Sequence, residues 1–487
     1  MNMIKKVLLS AIFILSGTGV ANAQYIEDAL RYSTPNGISS ARVGALGVAF
    51  NGISDDFNAT NYNPAGLSLL AKTELNIGLD FQHNPNEVNF LGNISNFSSN
   101  NVNFSQIGMV FPFKAENHNA AISIGYIQES NFSNKYDYSG FNSQNTYTAY
   151  QAQYGTRNYQ DNWAYHVFLA SPNLKTPVKD SLQQSAYVDE SGGLHNFVVG
   201  GAFEINPSLS VGATLNYKWG HYKYTRAFTE SDTKNKYNTF DTLFFEKSNV
   251  SSVIVDESID QEVTGISGSL GIIGKLSNFM RLGATVKFPS YYSIKEDYGI
   301  YAEAKFKSSF EANPYDPVPS AMDYHVTTPF IFSGGMSLYL LGLTVSAGIE
   351  YMDATQVTFT APDGTYTNFR EINDHFNGLN RTIASSLLGQ VTWGLGFEYD
   401  LLVVPVVIRG SYQSISSPYS DNIDGANRQT IGFGAGLYVG DNVRIDGLYR
   451  WTSYSQLRTN YGTQKTGSLY ILKQTPSNIA VQLTYRY

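Results

Sequence analysis

The sequence predicts an all-β fold, a transmembrane antiparallel β-barrel of about 14 strands. Three observations predict it. The chain opens with an export address and has no later helical span, its strand-length segments alternate apolar and polar residues, and short and long connections take turns between them.

At the N-terminus, Lys5 and Lys6 precede the apolar run Val7–Leu15, and Ala21-Asn22-Ala23 forms an A-x-A cleavage site. This layout reads as a signal peptide over 1–23, removed before Gln24. A helical anchor would need ~20 apolar residues, and no later stretch supplies them. A mature chain that crosses a membrane must then do so as strands closed into a barrel, because lipid tolerates no unpaired backbone edge.

Composition points the same way. The chain has 35 Tyr, 29 Phe and 43 Gly with only 15% charged residues, yet its mean hydropathy is −0.21. A water-soluble protein exposing so many rings would associate, whereas a membrane barrel sets them in interfacial girdles and in its loops. Loss of Lys5 and Lys6 takes the formal charge from −8 to about −10, with no basic cluster, which argues against nucleic acid as a partner. With no cysteine there is no disulfide framework, thiol catalysis or Cys-based metal site.

Gln24–Ser40 carries Ile26, Leu30 and Tyr32 at the spacing of a helical turn or two, before the turn Pro35-Asn36-Gly37. From Lys72 the period becomes two: Leu75, Ile77, Leu79 and Phe81 alternate with Glu74, Asn76, Gly78 and Asp80. The pattern is cleanest over 208–219, 404–412, 443–451 and 479–487, where aliphatics sit in mid-strand and aromatics at one end. A lipid-facing band bounded by an aromatic girdle requires that order. Candidate strands lie near 72–83, 102–113, 119–129, 194–205, 208–224, 253–275, 279–299, 322–340, 343–352, 391–399, 404–414, 428–439, 443–455 and 476–487.

Tight connections at 114–118, 206–207, 276–278, 341–342, 400–403 and 440–442 alternate with long loops at about 84–101, 130–193, 225–252, 300–321, 353–390, 415–427 and 456–475. An even-numbered barrel with both chain ends on the short-turn side is connected this way. A soluble sandwich or propeller explains neither the asymmetry nor the terminal aromatics. The loops are rich in rings, as at Tyr136, Tyr138, Tyr147 and Trp163, and suit an apolar cap over the mouth or plain packing. Phe369–Leu388 reads as an amphipathic helix with Ile372, Phe376, Leu379, Ile383 and Leu387 on one face.

Ala41–Leu70 stands apart, rich in small residues, with paired acids at Asp55-Asp56 and the closing run Asn61-Tyr62-Asn63-Pro64-Ala65-Gly66-Leu67. It is similar to the N-terminal hatch of the FadL/TodX-type outer-membrane transporters of long-chain fatty acids and other hydrophobic compounds. The resemblance implies a division into a signal peptide (1–23), a hatch inside the lumen (24–71) and a barrel (72–487). It implies gating residues Asn63, Pro64, Ala65 and Gly66, with Phe50 and Phe57 as apolar neighbours, and uptake of an apolar ligand collected by extracellular loops. Tyr487 resembles the terminal aromatic by which outer-membrane barrels are recognised by the assembly machinery. The expected setting is the outer membrane, with a monomer in contact with its lipid.

On the non-lipid face of the late strands lie Glu350, Glu398, Arg409, Arg444, Asp446, Arg450 and Arg486. They read as a polar network in the lumen, since an Arg facing lipid at midplane costs ~2–4 kcal/mol. An ion-pair lattice is the plain reading, and an Arg meeting a ligand carboxylate is the sharper one.

Chemistry is otherwise sparse. None of the seven His lies in H-E-x-x-H, no G-x-S-x-G elbow occurs, and phosphate-loop signatures are missing. Asp55-Asp56 reads as a structural pair rather than a metal site. The expectation is a non-enzyme without cofactor or metal. A general porin, a structural or adhesive barrel, and an outer-membrane hydrolase with a pair assembled across strands stay open as alternatives.

Overall fold

The computed structural model describes residues 20–156, 158–238, 249–308, 311–362, 369–421, 423–462 and 467–487. The expected signal peptide lies, over 1–19, outside them. Fourteen antiparallel staves close into one barrel. In order they are β1 (Glu74–Phe90), β2 (Asn93–Ala115), β3 (His118–Asn131 continued by Asn134–Asn142), β4 (Leu182–Asn206) and β5 (Leu209–Ser231). Then come β6 (Val250–Ser277), β7 (Met280–Lys287 and Tyr291–Phe306), β8 (Ser320–Thr327 and Ile331–Leu340), β9 (Leu343–Asp353) and β10 (Gly389–Leu401). The last are β11 (Val406–Ile415), β12 (Arg428–Val439), β13 (Val443–Tyr461) and β14 (Ser468–Gln474 and Ser477–Arg486).

The barrel closes between its two ends. Glu74 of β1 pairs with Arg486 of β14, and Thr73 and Tyr487 exchange backbone bonds at 3.0 and 3.1 Å. The terminal aromatic is thus part of the seam. Breaks at 288–290, 328–330 and 475–476 coincide with Pro289, Pro329 and Pro476, which have no N–H to give to the ladder.

Which way each side chain points is inverted relative to a water-soluble sheet. Along β14, Ile479, Val481, Leu483 and Tyr485 are exposed while Asn478, Ala480, Gln482 and Thr484 are buried. On β13, Ile445, Tyr449 and Trp451 face out while Arg444 and Asp446 face in. Rings gather at the edge of this apolar surface: Tyr126 lies 5.7 Å from Phe104, 5.8 Å from His195 and 6.1 Å from Trp219. Such a belt is stable where the surrounding solvent is hydrocarbon.

Several staves run beyond the expected ends. The region 84–101, expected as a long loop, is instead a continued hairpin, in register from Asn84↔Ser99 to Phe90↔Asn93 and turned by Leu91-Gly92. Strand likewise continues into the expected loops at 130–193, 225–252, 300–321 and 456–475. Above the lipid band, neither face need be apolar, so alternation fades while backbone pairing persists.

Loop 143–181 folds back across this extended end. Its helix Tyr147–Tyr154 and Trp163 join Phe90, Tyr138, Phe228, Tyr461 and Tyr470 in one buried cluster. The Tyr147 hydroxyl donates to Glu257 at 2.6 Å, and Glu257 pairs with Arg226 at 2.9 Å. Phe369–Ser386 is a helix whose buried face is Ile372, Phe376, Leu379 and Ile383, with Leu387 just beyond.

Candidate functional site

Ala41–Leu70 lies within the ring of staves, nearly all of it buried. Its local form follows its sequence. Ser40 Oγ caps the helix Ala41–Leu46 by accepting from Val43 N at 3.1 Å. Asn63 Oδ1 accepts from Ala65 N at 3.2 Å, and Pro64 opens the 3-10 turn Pro64–Leu69, where its missing N–H costs nothing. Small inward residues on the wall let the two backbones meet. A Cβ at Gly348 would collide with the Val48 carbonyl, and one at Gly335 with the backbone nitrogen of Gly52.

Polar contacts fasten the segment around its circumference. Val48 N donates to Gln413 at 2.9 Å, Ser337 Oγ to the Gly52 carbonyl at 2.8 Å, and Asn63 Nδ2 to the Ile272 carbonyl at 2.9 Å. At its centre, Arg42 bonds Asp55 at 2.6 Å and Asp56 at 3.0 Å, and grips Glu398 of the wall with a two-pronged fork. Glu398 also accepts from Arg409, which reaches Asp446 at 2.7 Å, and Asp446 accepts from Arg444 at 2.7 Å. Opposite charges buried in alternation offset one another's desolvation. Separately, Glu74 accepts from Phe57 N at 2.8 Å and from Arg486 at 2.7 Å.

Above this segment is a cavity of about 730 Å³. Val43, Gly47, Val48, Thr60, Asn61 and Tyr62 form its floor. Its walls mix apolar groups, among them Leu30, Phe132, Ile331 and Met352, with many Asn, Gln, Ser and Thr side chains. The N-terminal helix Val20–Ser33 enters it from the long-loop end, held by Glu27–Arg458 and by Arg31 stacked 3.5 Å above the Tyr222 ring. The lining carboxylates are engaged: Glu129 binds Lys218 at 2.6 Å, Glu190 accepts from Tyr222 at 2.9 Å, and Glu350 accepts from Ser333 at 2.8 Å. Asp421 is exposed.

The expected site residues therefore separate. Glu398, Arg409, Arg444 and Asp446 form one network, as the plain reading required, and Arg486 joins Glu74 instead. Glu350 stands elsewhere, 4.0 Å from Lys287. Arg450 is the exception: among the described residues it makes no ion pair, and its Nε has no hydrogen-bond partner. Asn63, Pro64, Ala65 and Gly66 do not border the cavity: Asn63 and Pro64 press on the wall at Gly271, Pro64 and Ala65 at Gly212, and Gly66 packs against Ser54 within the segment itself. Phe57 fills the space over Gly108 and Gly125, and Phe50 packs with Val43, Leu46 and Ile53. All six expected gating residues, Asn63, Pro64, Ala65, Gly66, Phe50 and Phe57, are buried, and the small ones stand where backbones approach closely.

Arg42 and Tyr62 carry roles that the sequence pattern did not single out. Arg42 is the only cation in Ala41–Leu70 and shares that stretch with Asp55-Asp56, which is the signal that could have found it. Among the described residues, no group of three or more His, Asp or Glu is placed to hold a metal.

No family model matches the sequence, and no curated protein matches it. Solved structures do. A Pseudomonas aeruginosa FadL homologue aligns at a TM-score of 0.56 with 12% identity, covering 93% of this chain and 99% of the other. The P. putida toluene transporter TodX aligns at 0.53 with 13% identity, covering 89% and 94%. At such identity the likeness is one of fold. The chain thus has the fold of the FadL-type outer-membrane barrels, matched over nearly its whole length.

Proposed function

We propose that this barrel takes up hydrophobic compounds across the outer membrane, with 24–71 as its hatch and long-chain fatty acids as the favoured cargo. One observation carries the reading: a cavity of mixed polarity lies between a buried segment that fills the lumen and a mouth narrowed by aromatic loops. A cargo can be collected, held and released only if that segment shifts. A general porin would need an open aqueous path where Arg42, Val48 and Gly52 meet the wall.

In this mechanism the chain performs no covalent step. Apolar walls desolvate a tail, polar groups orient its head, and rearrangement of Ala41–Leu70 opens the path inward. Tyr487 would serve the assembly machinery, and the barrel would act as a monomer in outer-membrane lipid. The test is uptake of a labelled long-chain fatty acid by cells carrying the intact protein or one lacking 41–70. Uptake that does not depend on the protein, with normal barrel assembly, would end the proposal, as would large steady single-channel currents from the intact barrel.

A further inference from the structure

The short turns at the periplasmic end of the barrel divide by chemistry, and two of them are matched in geometry. Glu116-Asn117 joins β2 to β3 after the pair Ala115↔His118, and Leu341-Gly342 joins β8 to β9 after the pair Leu340↔Leu343. Glu116 comes ten residues before Tyr126, and Leu341 ten residues before Tyr351, each ring lying on the outward face near the upper end of the apolar surface. At a rise of ~3.3 Å per residue and a tilt of ~40°, ten residues descend about 25 Å, the height of a lipid-facing band. The two apexes therefore end at the same depth. One is charged, and the other is a leucine that is 96% exposed. The φ of Leu341 is 38°, in the left-handed region where Asn or Gly is favoured and a bulky side chain is disfavoured. Contact with the rest of the chain does not offset that cost, because almost none of the side chain is covered. At the far end of the barrel the turn Leu91-Gly92 has the same backbone, but there half of the leucine is covered.

Both neighbouring turns share the character of Leu341. Between β10 and β11, Val403 comes ten residues after the outward Trp393 and is also 96% exposed, flanked by the exposed Leu402 and Val404. Between β6 and β7, Leu276 and Phe279 are exposed. Backbone bonds tie the three turns into one arc, from Tyr339 N to the Phe279 carbonyl and from Asp400 N to the Gly342 carbonyl, both at 2.8 Å. Asp400 itself continues the inward register of Gly396 and Glu398. Directly above the arc, Leu340, Val345, Phe397 and Ile408 carry the exposed apolar surface up the wall. The turns beyond it are polar: Asn206 and Ser208 between β4 and β5, and Asp441 and Asn442 between β12 and β13, are exposed. Seven staves around the ring from Leu341, between the seam and the β2–β3 turn, lie the exposed Lys72, Lys114 and Glu116.

We propose that the apolar arc from Leu276 to Val404 is sunk in the phospholipid of the periplasmic leaflet, so that the barrel stands tilted in the membrane, deep at β8 and β9 and shallow at β1 and β2. Lipid is the occupant because the arc is continuous with the surface that already faces hydrocarbon. An upright barrel would hold Leu341 in water or Glu116 in hydrocarbon, and each is unfavourable. Tilting gives both apexes the solvent they prefer. The inference concerns the seat of the barrel in its membrane and is independent of the cargo.

The test exploits a chain without cysteine. Leu341→Cys, Val403→Cys and Asn117→Cys are each made in the full-length barrel, placed in phosphatidylethanolamine/phosphatidylglycerol nanodiscs and treated with a water-soluble maleimide. Positions 341 and 403 should react about tenfold more slowly than 117, the scale set by burying one aliphatic side chain. A bimane attached at 341 or 403 should be quenched by lipids bearing a nitroxide on the acyl chain, and one at 117 should not. Equal reaction rates at 341 and 117 overturn the proposal, whether both are fast or both slow. Fast reaction at 341 and 403 in nanodiscs with slow reaction in isolated outer membranes also overturns it, since a periplasmic protein would then cover the arc. Heat-modifiable gel migration checks folding. Hydroxyl-radical footprinting of the unsubstituted barrel in the same nanodiscs decides the matter even if a variant fails to assemble: Leu341 and Leu402 should resist oxidation, and oxidation at the rate of a water-exposed leucine overturns the tilt.

Discussion

Arg42 and Glu398 join the lumenal segment to the wall through two bonds, Nε to Oε2 at 2.9 Å and Nη2 to Oε1 at 3.0 Å. The pair is largely withdrawn from water, and the same guanidinium holds Asp55 and Asp56. Removing one member leaves a charge buried without compensation. Arg42→Ala should therefore weaken docking of 41–70 by about 3–5 kcal/mol. Limited proteolysis of that segment should accelerate, and R42A combined with Glu398→Ala should recover part of the loss; no change in cleavage would show the network to be dispensable.

Backbone contact gives a second prediction. Gly348→Val places a branched side chain where the Val48 carbonyl sits, and neither backbone can yield cheaply. The segment should be displaced and ionic conductance through the barrel should rise. Gly378→Ala, with nothing within 4 Å of the new carbon, is the control and should leave conductance as it was.

Asn63 both caps the turn that follows it and bonds the wall at Ile272. Asn63→Ala should cost roughly 1–2 kcal/mol of docking stability. Hydrogen exchange over 59–70 should quicken while the strands remain protected. Equal quickening across β6 would point to barrel instability instead.

The helix Phe369–Ser386 is the site of a pH-dependent effect. Burial holds the His375 imidazole below the ordinary histidine range. The undocked helix therefore takes up a proton first, near pH 6.5, and docking weakens as the pH falls from there toward the lowered value. Above neutrality no effect is expected. Hydrogen exchange in this helix, corrected for intrinsic rates, should show the dependence, and His375→Gln should abolish it. Phe376→Ala should loosen the helix at every pH, by about 3–5 kcal/mol.

How much was legible in the chain depends on what writes the signal. Lipid imposes alternation on every residue it touches, so the spacing of Ile479, Val481 and Leu483 is enough to mark their strand. The tight turns are equally local, whereas Pro289 and Pro329 break segments that were expected as single strands over 279–299 and 322–340. Beyond the lipid band that pressure ends, and the pairing of Asn84 with Ser99 left no hydrophobic trace to read.

The sequence by itself determined the barrel class, the inward face of the late strands and the small-residue character of Ala41–Leu70, since each follows from periodicity or residue size. Only the tertiary structure decided which inward charges meet. Arg409, Arg444 and Arg450 occupy equivalent faces of their strands, yet the first two find Asp446 and the third makes no ion pair among the described residues. Register around a closed ring sets those neighbours, and packing inside that ring turned Asn63-Pro64-Ala65 toward the wall and Tyr62 toward the cavity. A pattern along one chain records which face a residue takes, while the identity of the group across from it is a property of the closed barrel.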